Sequence, residues 1–124
     1  MIKLKDQFYK VLELQKVSEN QILAKLEINQ AHDIYKGHFP DQPIVPGVCQ
    51  IQMVKELLEE LIGKKLQMTN GDNIKFMGMI IPNQNPIINL EVNFKMNVLE
   101  IICDAKLSFG ETTFTKFKGK FLAV

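Results

Sequence analysis

Arginine is absent from this chain of 124 residues, and all fifteen of its cationic side chains are lysines. Planar two-pronged clamps on phosphate or carboxylate are therefore excluded. An anionic partner has to be held by lysine point charges or by backbone N–H groups. Positive charge is not in excess either: the formal net charge of +1 excludes the strongly basic face of a nucleic-acid binder. Cysteine is scarce. Cys49 and Cys103 are too few for a disulfide framework and lack metal-ligand spacing, which reads as two reduced thiols in a cytoplasmic protein with no metal site. No apolar run approaches the roughly 18 residues that cross a bilayer, so no membrane span is expected. The opening Met1-Ile2-Lys3-Leu4-Lys5-Asp6 has none of the apolar core of a signal peptide. Repeats, linkers and low-complexity tracts are missing as well. With 46% hydrophobic residues, positions 1–124 read as one domain with room for a real core.

What is present is periodic. Residues 4–15 fit either a helix, through Leu4, Phe8, Val11 and Leu12, or the opening of a strand from Val11. After a turn at Ser18-Glu19-Asn20, Ile22, Ala24, Leu26 and Ile28 alternate with polar residues apart from Leu23, the pattern of a half-buried strand. A helix is expected from Gly47 to about Ile62, stopped by Gly63-Lys64-Lys65. Its wheel puts Ile51, Met53, Val54, Leu57, Leu58, Leu61 and Ile62 on the apolar face, and Val48, Cys49, Gln52, Lys55, Glu56, Glu59 and Glu60 on the other. Then Ile88, Leu90, Val92, Phe94 and Met96 alternate strictly, and the phase slips by one into Ile101, Cys103, Ala105, Leu107 and Phe109. That slip marks a turn or bulge near 97–99. Phe109-Gly110-Glu111 is another turn, after which Phe117 and Phe121 face one way and Lys116, Lys118 and Lys120 the other. The lysines read as an outer strand face that blunts edge pairing, with docking of an acidic carrier protein as the rival reading. One apolar-faced helix among long alternating strands gives an α+β domain, an antiparallel sheet around a single helix.

Residues 29–45 read as a loop, and loops of that length in a compact domain are often functional. This one holds His38-Phe39-Pro40 and Pro43, and runs into Pro46-Gly47-Val48. The pattern sets a histidine in a rigid loop and aims a helix N-terminus at the same spot. An imidazole base beside backbone N–H groups suits proton abstraction next to a carbonyl, because those N–H groups can hold the enolate that forms. Pro46-Gly47 is equally a proline-preceded helix start, and the two readings share one geometry. Cys49 reads as a small buried thiol rather than a nucleophile, since no Cys-His-Asn or Cys-His-Asp set accompanies it. His32 reads as an ordinary loop residue.

The run His38-Phe39-Pro40-Asp41-Gln42-Pro43-Ile44-Val45-Pro46-Gly47-Val48, with Tyr35-Lys36-Gly37 before it, resembles the active-site segment of the β-hydroxyacyl-acyl-carrier-protein dehydratases of the hot-dog fold. Lys75-Phe76 followed by Ile80-Ile81-Pro82-Asn83 is similar to a second segment of that family. The resemblance implies a curled antiparallel sheet around one long central helix, paired as at least a homodimer, with each active site at the interface. It implies dehydration of a 3-hydroxyacyl thioester to the trans-2-enoyl thioester. The substrate would ride on the phosphopantetheine of an acyl carrier protein, with no other cofactor. By position, His38 matches the base that removes the α-proton. Gly47, with Val48 beside it, matches the N–H site for the thioester carbonyl. The family's acid lies fourteen positions after the histidine, where this chain has Gln52, and the family's Gln four residues later is here Glu56. Residues i and i+4 share a helix face, so the pair would be neighbours in either order. The first reading has His38 serve both steps, with Gln52 positioning water or hydroxyl. The second moves the carboxylate one turn along to Glu56, which otherwise reads as part of a solvated face with Lys55, Glu59 and Glu60. Phe39, Phe76 and Met77 are acyl-tunnel candidates; Met79, Phe94 and Met96 join them as residues read mostly as core. Two rival functions stand beside the dehydratase. One is a non-catalytic hot-dog subunit paired with an active homologue, and the other is a hot-dog acyl thioesterase.

Overall fold

The computed structural model describes residues 3–37 and 41–124. Chain direction reverses early. Leu4 O accepts from Phe8 N at 2.7 Å and from Gln7 N at 3.1 Å, closing one helix-like turn before the chain straightens at Tyr9. The ambiguous segment is therefore both things in succession, a turn and then a strand. Strand β1 covers Tyr9–Ser18 and β2 covers Gln21–Ile28, with the expected turn between them. The loop that follows is not structureless: Ile34–Gly37 form a four-residue helix, α1. His32 Nδ1 accepts from Ile34 N at 3.0 Å at its start, so this loop histidine has a local structural task.

Helix α2 spans Gly47–Ile62, the expected bounds. Pro46 precedes it in an extended conformation, and Gly63 ends it at φ 75°, its N–H reaching Glu59 O at 2.8 Å. Glycine adopts that left-handed conformation without penalty, hence the stop. Strands β3 (Leu66–Phe76), β4 (Ile87–Asn97), β5 (Glu100–Phe109) and β6 (Thr112–Ala123) complete one sheet in the order β1-β2-β4-β5-β6-β3, every pair antiparallel.

The alternation seen in the sequence becomes a continuous apolar layer because the registers agree. Ile22 pairs with Val92 and Ala24 with Leu90; Val92 pairs with Ala105 and Leu90 with Leu107; Ala105 pairs with Phe117 and Ile101 with Phe121. All are buried, and they form one core cluster with Met53, Val54, Leu57 and Leu58 of α2. The phase slip is a two-residue hairpin loop, Val98-Leu99, with Val98 at φ 58°. Thr115 stands opposite Leu107 in phase with Phe117 and Phe121, on the core side, and is fully buried; the register shifts only beyond this pair, between Leu107 and Ser108.

Three sequence expectations are corrected. Strand β6 lies between β5 and β3, so its lysines do not guard an edge; the edges are β1 and β3. Cys49 and Glu56, assigned by the wheel to the polar face, are buried together with Gln50, whereas Ile51, Leu61 and Ile62 are half-buried. The N-terminal turn covers the Glu56 side of the helix, which no single-helix wheel can register. Of the residues read mostly as core, Phe94 is core, but Phe76, Met77, Met79 and Met96 are each at least half exposed in the single chain.

Candidate active site

The site is built at the start of α2. Val45 N donates to Ile80 O at 2.9 Å, and Gln50 Nε2 reaches back to Val45 O at 3.2 Å. Gln50 Oε1 in turn accepts from the buried Thr115 hydroxyl of β6. Val45 is thus tied on both sides, at its N–H by Ile80 and at its carbonyl by Gln50, which Thr115 holds in turn; sequence reasoning missed Gln50 and Thr115. The first intrahelical bonds run from Cys49 N and Gln50 N to Pro46 O, at 3.1 and 3.2 Å. The N–H groups of Gly47 and Val48 donate to no described residue. They lie at the positive end of the helix dipole, where partial negative charge is favoured. Gly47 and Phe76 approach closely: a Cβ at Gly47 would stand 2.6 Å from Phe76 Cζ. The half-exposed Phe76 ring therefore lies over the helix start, which joins two of the sequence candidates in one place.

One and a half turns along, Gln52 Nε2 donates to Glu56 Oε2 at 2.8 Å. The same oxygen accepts from Leu4 N at 2.7 Å, and Glu56 Oε1 accepts from Lys5 N and from Tyr9 Oη, both at 2.9 Å. Four donors surround a carboxylate that is only 5% exposed. Burial, and then the Glu56 charge, push the Tyr9 phenol well above its ordinary range, so it stays a donor. Lys5 adds a bond to Glu60 at 2.8 Å, and that bond is the chief reason its ammonium is raised.

The sequence candidates thus fall into groups. Gly47, Val48 and Phe76 meet at the helix start. Met77 follows Phe76, its N–H bonded to Phe114 O at 2.8 Å, with its side chain exposed. Gln52 and Glu56 form a bonded pair. His38 and Phe39 lie outside the described residues. Cys49 is fully buried and burial pushes its thiol up to about 11, which fits the small buried thiol expected of it. Among the described residues, no three His, Cys, Asp or Glu side chains gather as a metal site, and no helix is long and apolar enough to cross a membrane.

A six-stranded antiparallel sheet closed on one long helix is the hot-dog fold, and solved structures agree. The dehydratase heterocomplex ApeI:P from Xenorhabdus doucetiae superposes with a TM-score of 0.73 at 21% identity, over 91% of this chain and 96% of that one. A hypothetical thioesterase with coenzyme A from Streptococcus pneumoniae reaches 0.65 at 8% identity, over 94% and 85%; these likenesses show the fold. The family is shown by sequence. The ApeI-like family, described as ApeI dehydratase, matches residues 14–112, and the chain belongs to it. Among curated relatives, the 3-hydroxyacyl-acyl-carrier-protein dehydratase FabZ of Oenococcus oeni is 28% identical over 68% of this chain and 64% of its own length. The FabZ of Clostridium perfringens is 24% identical over 87% of this chain and 77% of its own.

Proposed function

We propose that the chain catalyses reversible loss of water from a 3-hydroxyacyl thioester carried on the phosphopantetheine of an acyl carrier protein, in fatty-acid or related lipid or polyene synthesis. The observation that carries this reading is the helix start. Two backbone N–H groups, of Gly47 and Val48, stand without a described acceptor, nine and ten positions after His38 in a dehydratase-family chain. A thioester carbonyl seated there accepts from them and acidifies its α-carbon. His38 takes the α-proton, and the electron pair forms the Cα–Cβ double bond as the β C–O bond breaks. The hydroxide leaves as water with the proton that His38 had taken. One base serving both steps suits a syn elimination, where both groups leave from one face. It also suits this chain, because Glu56 is engaged by four donors and Gln52 has no proton of carboxylic acidity to give. Two copies pair, with His38 of one facing α2 of the other.

A second reading has support in Gln52 and in the heterocomplex named for the Xenorhabdus structure: a subunit that binds substrate while a homologue contributes the acid. The test is enoyl-thioester absorbance with the purified chain, wild type and His38→Ala. The expected result is turnover by wild type and a loss of about 10²-fold or more in the variant, the contribution of a general base, with an unchanged circular dichroism spectrum. Activity that appears only on adding a homologue selects the second reading. Thiol release without enoyl formation would make the chain a thioesterase and overturn both.

A further inference from the structure

We propose that the outer face of the sheet adsorbs to an anionic lipid surface through a block of six lysines on β4, β5, β6 and β3. Strand β6 is interior to the sheet, so its lysines have some task other than guarding an edge. The register shows what stands beside them. Lys116 pairs with Lys106 on one side and with Lys75 on the other, which sets three ammonium groups abreast. In the next row Lys118 lies between Asp104 and Asn73. In the row after that, Lys120 pairs with Ile102, whose other neighbour is Lys95. All six positions are out of phase with the core layer, so they share the outer face. Like charges directly opposed destabilise a sheet, and of the six only Lys106 has an ion pair among the described residues, with Glu91 at 3.4 Å. The block holds six of the fifteen lysines but two of the fourteen acidic side chains, Glu91 and Asp104. Asp72 and Glu100 stand at its margins. A chain that is nearly neutral as a whole thus carries one cationic face.

The composition of that face chooses its occupant. Every cation is a lysine, a point charge without the planar fork that fixes a partner's geometry. These rows hold no aromatic side chain to anchor a protein or to stack a base, and lysine is depleted at protein interfaces. The ammonium groups sit on flexible four-carbon stems, which reach a common plane even though the sheet twists. A fluid layer of lipid phosphates can rearrange to meet such an array, whereas an acidic protein or a duplex presents charges in fixed places. Near an anionic bilayer each lysine is worth about fivefold in partition. Adsorption on this face also leaves the candidate active site free. Lys75 and Phe76 point to opposite sides of β3, and Phe76 lies over the start of α2, away from the lipid.

The test is co-sedimentation of the whole chain with sucrose-loaded vesicles, of phosphatidylcholine alone or mixed with phosphatidylglycerol. Wild type should pellet with the mixed vesicles only, and about 1 M salt should release it, since the Debye length is then about 3 Å. Lys75→Gln, Lys116→Gln and Lys118→Gln together should weaken partition by about 10²-fold. The urea midpoint of that variant should be no lower than wild type, because opposed like charges have been removed. Lys3→Gln, Lys64→Gln and Lys65→Gln remove the same net charge from a separate cleft beside α2 and should leave partition near the wild-type value. If the first triple variant fails to fold, Lys116→Gln alone decides, with an expected loss of about fivefold. A wild type that stays in solution with the mixed vesicles overturns the inference, and so does equal weakening by the two triple variants. Tighter binding of this face to an acidic protein or to duplex DNA than to the mixed vesicles would also overturn it.

Discussion

Glu56 shows how much a single residue's meaning depends on what covers it. In the sequence it sits in Lys55-Glu56-Leu57-Leu58-Glu59-Glu60, one carboxylate among three. In the fold Glu59 accepts from Leu66 N at 2.8 Å and Glu60 pairs with Lys5, while Glu56 is sealed under the N-terminal turn. Burying an ionised carboxylate is tolerable only when hydrogen bonds replace its water, and four do. The two cysteines show the opposite treatment. Burial pushes Cys49 up to about 11 and Cys103 up to about 12. A thiol whose folded pKa lies above its unfolded value near 9 contributes stability that is complete below pH 9 and is lost as pH rises through the folded value. Urea midpoints should therefore be flat from pH 7 to 8.5 and fall between pH 9 and 11. Cys49→Ala should shrink that fall, and an identical slope in wild type and variant would remove Cys49 as its cause.

At the scale of the elements, β6 joins the site to the core. Thr115 locks Gln50 at the helix start, and four residues on, Gly119 pairs with Cys103. A Cβ at Gly119 would fall 2.7 Å from the Phe117 ring and 2.8 Å from Asn70 O of β3. The ring has Phe121 packed edge-on at 6.2 Å, and the carbonyl is backbone, so neither yields cheaply. Gly119→Ala should therefore destabilise by about 1–3 kcal/mol, the usual cost of overpacking, read as a lowered urea midpoint at unchanged m-value. A neutral result would mean that β3 is free to shift at its irregularity between Asn70 and Asn73.

For the whole molecule, the informative surface is edge strand β3. Met68, Ile74 and Phe76 pair with Phe121, Phe117 and Thr115, all three of them buried. Their own side chains remain 37–55% exposed. A single chain thus leaves the inner side of this edge uncovered beside the Gly47–Phe76 contact, and a second copy related by a two-fold would cover it. Sedimentation at micromolar concentration should give a dimer. Ile74→Lys together with Met68→Lys should yield monomers with little or no turnover. A wild type that is monomeric at assay concentration and still active would refute the shared site.

The sequence by itself determined whatever is encoded locally. Strands β2, β4 and β5 were legible because a half-buried strand repeats every two residues. The bounds of α2 were legible because proline and glycine set backbone dihedrals without help from neighbours. The dehydratase resemblance lay in a contiguous run for the same reason. What the tertiary structure alone decided is which polar groups are inside. Three of the four donors to Glu56 lie 47 to 52 positions before it, and Thr115 lies 65 positions after Gln50. Thr115 shares the phase of Phe117 and Phe121, and its pairing with Leu107 puts it on the core side. A charged or amide side chain on a helix carries the same letter and the same periodicity whether water or a distant segment satisfies it. Only the folded chain, by bringing that segment into contact, separates the two cases.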